Sequence, residues 1–194
     1  MINLNPQFKY GIMLSGGLDS AVLLYLLLRA DSTINIQSFT IAKSDGSHRY
    51  VSNILRYFED QFQITLAETI IVGDPTAHHT VQSKTAVVDI LQHHKHIDYI
   101  YFATNQNPVY NFDYANGGAP NRVLASPHPK VVMPFIKMYK DEILKLAIDH
   151  GQEELLKLTH SCTEQKTGRC GQCFQCKERA WAFDQLDQTD PGVN

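Results

Sequence analysis

Hydrophobic and polar positions along this chain follow two alternating rhythms. Residues 8–14 form a short apolar run that predicts a buried strand, and the apolar stretch behind Ser20 predicts a helix reaching about residue 29. Residues 34–42 predict a second strand and 47–62 a helix. Residues 64–72, rich in β-branched and apolar side chains, predict a third strand, followed by a helix over 80–94 and a fourth strand over 97–103. Residues 104–130 are dense in Asn, Gly and Pro and predict a long loop. Beyond it the pattern predicts a last short strand over 131–134 and a helix over 139–150. That helix carries Ile143, Leu144, Ala147 and Ile148 on one face and Gly151 as its stop. A final helix is expected over 176–186.

Strands that alternate with helices in this way predict an α/β fold: a three-layer parallel sheet with helices on both faces. Ligands of such sheets gather outside the carboxyl ends of the strands. The hexapeptide at residues 15–20 and the long loop both fall there, and a loop of that length in a compact domain predicts a pocket wall or lid. At 194 residues, with 43% hydrophobic and 19% charged positions, the chain can bury one substantial core and is not of disordered composition. Its formal net charge of -3 argues against strong nonspecific attraction to nucleic acid, so direct nucleic-acid binding is not expected. No apolar stretch approaches a membrane span, and the first residues lack the basic leader of a secretory signal; the expected location is cytoplasmic, with no membrane partner.

Ser15-Gly16-Gly17-Leu18-Asp19-Ser20 stands between the first strand and its helix. Two glycines allow a tight turn, and the helix that follows directs unpaired N–H groups and its positive dipole end at the same point. The expectation is a phosphate site in which Ser15 and Ser20 add hydroxyls. Asp19 would repel bare phosphate, so it implies either a helix cap or a Mg²⁺ ion between carboxylate and phosphate. The loop is neither GxxxxGK[ST] nor GxGxxG. All four cysteines, Cys162, Cys170, Cys173 and Cys176, lie in a C-x7-C-x2-C-x2-C run. In a reducing compartment such a run fits a closed, structural Zn²⁺ site, with an iron–sulfur cluster, disulfides or free thiols as the alternatives. The division expected is a nucleotide-binding domain over 1–158 and a zinc-binding helical extension over 159–194.

Placed after the first strand, SGGLDS resembles the loop of the PP-loop ATP pyrophosphatase superfamily, whose members cleave ATP between the α and β phosphates. SCTEQKTGRCGQCFQCKERAWAF, with Arg179-Ala180 after the cysteines, resembles the C-terminus of the 7-cyano-7-deazaguanine synthase (QueC) branch. PFIKMYKDEI, residues 134–143, looks like the segment in which that family's lysine opens a helix and meets the ATP phosphates; Lys140 is the matching residue. The resemblance implies the adenine nucleotide alpha hydrolase-like fold. It implies a ligase that converts 7-carboxy-7-deazaguanine to its nitrile with ATP and ammonia, releasing AMP and pyrophosphate, in queuosine biosynthesis. It also carries the homodimer common in that family.

Asp19 and Lys140 are then the expected catalytic groups, and Ser15, Gly16, Gly17, Leu18, Asp19 and Ser20 the pyrophosphate contacts. Asn105, Asp113 and Arg122 are candidates for the deazapurine acid, since an Asp accepts from a guanine-like edge and an Arg pairs with a carboxylate. The family's Pro-x-Arg-Asn turn is absent at residues 78–82, and its Asp-Tyr-Gly-Gln motif is replaced by Ser44-Asp45-Gly46-Ser47-His48-Arg49. Those departures keep open an adenylating ligase with another acceptor and a catalytically silent nucleotide-binding zinc protein. Among the nine histidines, His93, His94 and His96 sit at a predicted helix end, where His is favourable without a metal. Tyr110, Phe112 and Tyr114 alternate in the long loop and would either stack a base or pack the loop onto the core.

Overall fold

The computed structural model describes residues 2, 4–77, 79–115, 119–120 and 125–192, leaving aside the side chains of residues 79 and 80. Among the described residues five strands run β1 (Lys9–Met13), β2 (Asn35–Thr40), β3 (Ile70–Ile71), β4 (Tyr99–Tyr101) and β5 (Val131–Val132). They lie side by side in the order β3-β2-β1-β4-β5, and every pairing is parallel. The helices of the described residues are α1 (Leu18–Ala30), α2 (Val51–Phe62) and α3 (His79–His93) between strands, then α4 (Lys140–Ile148), α5 (Glu153–Lys157) and α6 (Phe174–Gln185) after β5, with a 3-10 turn at Ser47–Tyr50 before α2. The chain moves outward from β1 to β3, then returns to the other side of β1 with β4. The strand order therefore reverses beside β1, where a parallel sheet opens a crevice.

The two faces of the sheet bury separate apolar clusters, which follows from the period of two along each strand. Tyr10, Ile12 and Ile36 point to one face, where α1, α2, α4 and α5 pack and Trp181, Ala182 and Phe183 of α6 bury in the same cluster. Phe39, Ile100 and Val131 point to the other, covered by Ala86, Val87 and Ile90 of α3. This is the three-layer arrangement expected. Because α1 is buried on nearly all sides, its residues are apolar almost throughout, which is why it reads as a continuous run.

Two elements depart from the sequence pattern. The third strand, expected over 64–72, pairs with β2 only at Ile70–Ile71. Upstream, side chains engage its backbone instead. The Glu59 carboxylate accepts from the Leu66 N–H at 2.9 Å, and the Gln37 amide donates to the Glu68 carbonyl at 2.7 Å, so those groups do not serve the β2 ladder. Helix α5 was not expected, and its five residues are too few to show a helical period. The stop at Gly151 is observed, with φ of 65°. Among the described residues no helix is long and apolar enough to cross a membrane.

Candidate active site

The hexapeptide leaves β1 and closes on itself before α1. The Ser20 hydroxyl accepts from the Ser15 N–H at 3.1 Å and donates to the Gly17 carbonyl at 3.1 Å, while the Ser15 hydroxyl accepts from the Gly17 N–H at 3.2 Å. Gly17 is the N-cap of α1 in extended conformation, with no side-chain cap. The first N–H groups of a thirteen-residue helix therefore stay available at the loop, the arrangement that favours an anion. Gly16 has φ of 85° and lies so close to the turn after β2 that a Cβ there would stand 2.0 Å from the Ser47 carbonyl oxygen. Its own carbonyl accepts from the His160 N–H at 2.8 Å. The loop is thus clamped between the turn at residues 47–50 and the segment that leads into Cys162.

Asp19 is not the helix cap. Its Oδ2 is 3.0 Å from Lys140 Nζ, and Lys140 Nζ is in turn 2.6 Å from Glu178 Oε2. Lys140 is the first residue of α4, held there by the Glu142 carboxylate, which accepts from the Tyr139 N–H at 2.7 Å. Its side chain runs inward rather than to solvent, so it is not a surface lysine. Burial works against the ammonium charge, but Asp19 and Glu178 together outweigh it and hold Lys140 above the usual lysine range. Glu178 is a residue that the sequence did not single out. Burial pushes its carboxyl above the ordinary glutamate range, against the pull of Lys140.

A cavity of ≈ 160 Å³ opens at the carboxyl ends of β1, β2 and β4. Ser15, Asp19 and Ser20 form one wall, Lys43 and Ser47 another, and Ser83 of α3 with Thr104 complete its polar lining. Among the described residues, Asp19 Oδ1 is buried here without a hydrogen-bond partner. An unsatisfied carboxylate oxygen beside a phosphate-type loop has the hard oxygen chemistry that suits Mg²⁺. The residues present therefore fit that ion.

The remaining expected contacts are dispersed. The Asn105 amide donates to Glu178 Oε1 at 3.3 Å, which puts it behind Lys140. Asp113 accepts from the Ala115 N–H and pairs with Lys177 at 3.0 Å at an exposed position, apart from the cavity lining. Arg122, like Asn121 beside it, lies outside the described residues. The loop aromatics pack rather than stand free. Phe112 meets Phe174 and Trp181 edge-on, and the Trp181 indole N–H donates to the Tyr110 carbonyl at 3.2 Å. His93 binds Asp89 at 2.7 Å on the α3 surface.

Cys162, Cys170, Cys173 and Cys176 are all free, and their sulfurs lie within 4.8 Å of one another. Tetrahedral zinc with bonds of about 2.3 Å separates its sulfurs by roughly 3.8 Å, so a small contraction suffices to close this set on one ion. Backbone N–H groups of Gln165, Gln172 and Cys173 already point at the sulfurs, at 3.3, 3.4 and 3.2 Å. Burial opposes charge on Cys173, yet bonds from Thr163 and Cys176 draw its thiol down to about 6, while burial pushes Cys176 up. The four-sulfur site can hold a metal. Arg179 locks the helix behind it. Its guanidinium is fully buried, pairs with both oxygens of Asp190 at 2.7 and 3.0 Å, and donates to the Thr159 hydroxyl and the Leu156 carbonyl at 2.7 and 2.9 Å.

Comparison with known proteins divides along the same lines. The model of the family described as Asparagine synthase matches residues 3–104, more than half of the chain, and that of Queuosine biosynthesis protein QueC matches residues 119–187. The chain is 40% identical over 62 residues to 7-cyano-7-deazaguanine synthase 1 of Sulfurisphaera tokodaii, covering 32% of this chain and 30% of that one. It is 37% identical over 62 residues to the 7-cyano-7-deazaguanine synthase of Acidobacterium capsulatum, covering 32% and 26%. The matches thus span under a third of the length of these relatives. Among solved structures, the U34-tRNA thiolase NcsA of Methanococcus maripaludis with its [4Fe-4S] cluster aligns with 95% of this chain and 66% of its own, at 18% identity and a TM-score of 0.47. With the phosphate loop in the asparagine synthase match and the lysine and cysteines in the QueC match, the chain belongs to the PP-loop ATP pyrophosphatase superfamily.

Proposed function

We propose that this protein is an ATP-dependent ligase that activates a carboxylate by adenylation, and that its substrate is 7-carboxy-7-deazaguanine. One observation carries the reading. Lys140, from the QueC-like segment, meets Asp19, from the phosphate loop more than a hundred residues earlier, at 3.0 Å beside the loop's open helix N-terminus. A cation and a carboxylate brought together there are the groups needed to manage charge on a triphosphate.

In this reading the N–H groups at the start of α1 and the Ser15 and Ser20 hydroxyls receive the pyrophosphate. The substrate carboxylate attacks the α phosphorus, the bond to the bridging oxygen breaks, and pyrophosphate leaves. Ammonia then attacks the acyl carbon and AMP departs, giving the amide; a second ATP adenylates the amide oxygen, releasing pyrophosphate, and departure of that oxygen with AMP, as the nitrogen loses its two protons, gives the nitrile. Lys140 offsets the negative charge that develops as the phosphoryl group transfers. Mg²⁺ at Asp19 would supply further charge compensation on the phosphates. Zn²⁺ in the four-cysteine site is structural, and the division into a nucleotide-binding part (1–158) and a zinc-binding extension (159–194) is part of the same proposal. So are the cytoplasmic location and the homodimer.

Because Lys43 and Ser47 line the cavity where the resembling family carries its Asp-Tyr-Gly-Gln motif, a second acceptor acid is the alternative worth testing. Zinc-loaded protein is incubated with ATP, Mg²⁺, ammonium and 7-carboxy-7-deazaguanine, and AMP and the base are followed by mass spectrometry. AMP formed together with the amide or nitrile supports the synthase. AMP formation that does not depend on this base moves the assignment to another acceptor.

A further inference from the structure

Two carboxylates share one buried lysine, and they are not equivalent. Glu178 uses both of its oxygens, Oε2 toward Lys140 at 2.6 Å and Oε1 toward the Asn105 amide at 3.3 Å. Its side chain is 5% exposed and is fixed to α6 two residues after Cys176. Asp19 holds Lys140 more loosely, at 3.0 Å with one oxygen, and its side chain is 20% exposed. Its second oxygen has no partner among the described residues, and the residue lines the cavity. One partner is committed, then, and the other is free to turn.

We propose that Glu178 is a positioning residue that retains Lys140 when Asp19 turns into the cavity. The inference rests on the ATP-dependent reading above, and on Asp19 as the carboxylate that serves the nucleotide's divalent cation. A buried ammonium with a single carboxylate partner would lose its only counter-charge if that partner left, at the cost of an uncompensated buried charge. With Glu178 in place, Asp19 can exchange Lys140 for the cation while Lys140 stays charged and stays put. Glu178 thus makes the phosphate-loop aspartate available. It does so from the helix that the cysteine site anchors, which ties the position of the lysine to the fold of the C-terminal segment.

The test measures the gain in nucleotide affinity that Mg²⁺ confers. Calorimetry follows binding of an ATP analogue with a methylene bridge between the α and β phosphates, with Mg²⁺ and in Mg²⁺-free buffer. No chelator is used, so the cysteine site keeps its metal. In Glu178→Gln, Asp19 becomes the sole anionic partner of Lys140, and the Mg²⁺-dependent gain should shrink by about tenfold. Affinity in Mg²⁺-free buffer should not fall, because removing a negative charge does not weaken an anion. Glu178→Asp keeps the counter-charge on a side chain one methylene shorter, so its gain should stay close to that of the wild type; this protein carries the test if Glu178→Gln does not fold. A wild-type gain in Glu178→Gln overturns the inference, as does a parallel loss of affinity with and without Mg²⁺, which marks general structural damage. A gain lost in Glu178→Asp also overturns it. Wild-type protein that binds the analogue without Mg²⁺ dependence removes the premise about Asp19 and the inference with it, whereas wild-type protein that binds no nucleotide overturns the proposed function itself.

Discussion

Gly16 and Gly17 are adjacent, chemically identical and equally expected in a phosphate loop, yet the structure assigns them different costs. In Gly16→Ala a Cβ must be placed on a residue with φ of 85°, which costs ~1–2 kcal/mol for an L side chain. The same Cβ would sit 2.0 Å from the Ser47 carbonyl oxygen and 2.9 Å from its carbon. Both atoms are backbone, so no rotamer change relieves the clash, and displacing the turn costs a further ~1–3 kcal/mol. Together these give roughly 2–5 kcal/mol, or about 4–20 °C in melting temperature for a chain of this size. In Gly17→Ala the backbone has φ of -88°, which any residue adopts, and the nearest obstacle is the rotatable Ser15 hydroxyl at 3.3 Å. There the cost is that of a poorer N-cap, ~1 kcal/mol.

Thermal melts followed by circular dichroism give the two numbers, and binding of the uncleavable ATP analogue gives the functional counterpart. The displaced Ser47 lines the cavity, so Gly16→Ala should also lose nucleotide affinity at temperatures where it remains folded. If Gly16→Ala melts within about 2 °C of the wild type, or if its shift equals that of Gly17→Ala, the close approach to the turn after β2 is not what requires glycine, and the argument fails.

Two further outcomes follow from the C-terminal segment. Cys173→Ser should lower bound metal, measured by mass spectrometry of the purified protein, and cost at least ~2 kcal/mol, or about 4–8 °C in melting temperature; a metal-free variant of wild-type stability would refute a structural metal. Asp190→Asn leaves the fully buried Arg179 without its counter-charge and should cost roughly 3 kcal/mol at neutral pH. Although burial opposes it, the bonds from Arg179 and Arg169 hold Asp190 below the usual aspartate range. Its contribution is therefore complete above about pH 4 and is lost as pH falls through the lower folded value. Melts from neutral pH down to about pH 3 should show wild type and variant converging on the acid side; a constant difference would remove the ion pair as the cause.

How much of this was legible in the sequence depends on where each residue's partners lie. Strands β1, β2 and β4 and helix α1 announce themselves as nearly continuous buried runs, and α2 to α4 by burial that recurs near four residues, properties of each segment alone. The truncation of β3 depends on the side chains of Gln37, on β2 itself, and Glu59, on α2, which engage its backbone in place of ladder hydrogen bonds. The aromatics of the long loop could not be apportioned between packing and ligand binding until Phe174 and Trp181 were seen against them.

Glu178 is the most instructive case. A glutamate between Lys177 and Arg179 reads as part of a solvated charged helix face. In fact α6 buries Cys176, Glu178, Arg179, Trp181, Ala182 and Phe183, which lie around much of its circumference. A helix enclosed in this way shows no polar stripe, so its periodicity carries no signal about which charges point inward. Two adjacent charged residues turn into different networks, Glu178 toward Lys140 and Arg179 toward Asp190. Each is tolerated in the interior only because its counter-charge arrives from another segment. The buried Lys140 and the clasp on the C-terminal segment therefore depend on one another through a single turn of helix, and a change at either residue should be felt at both.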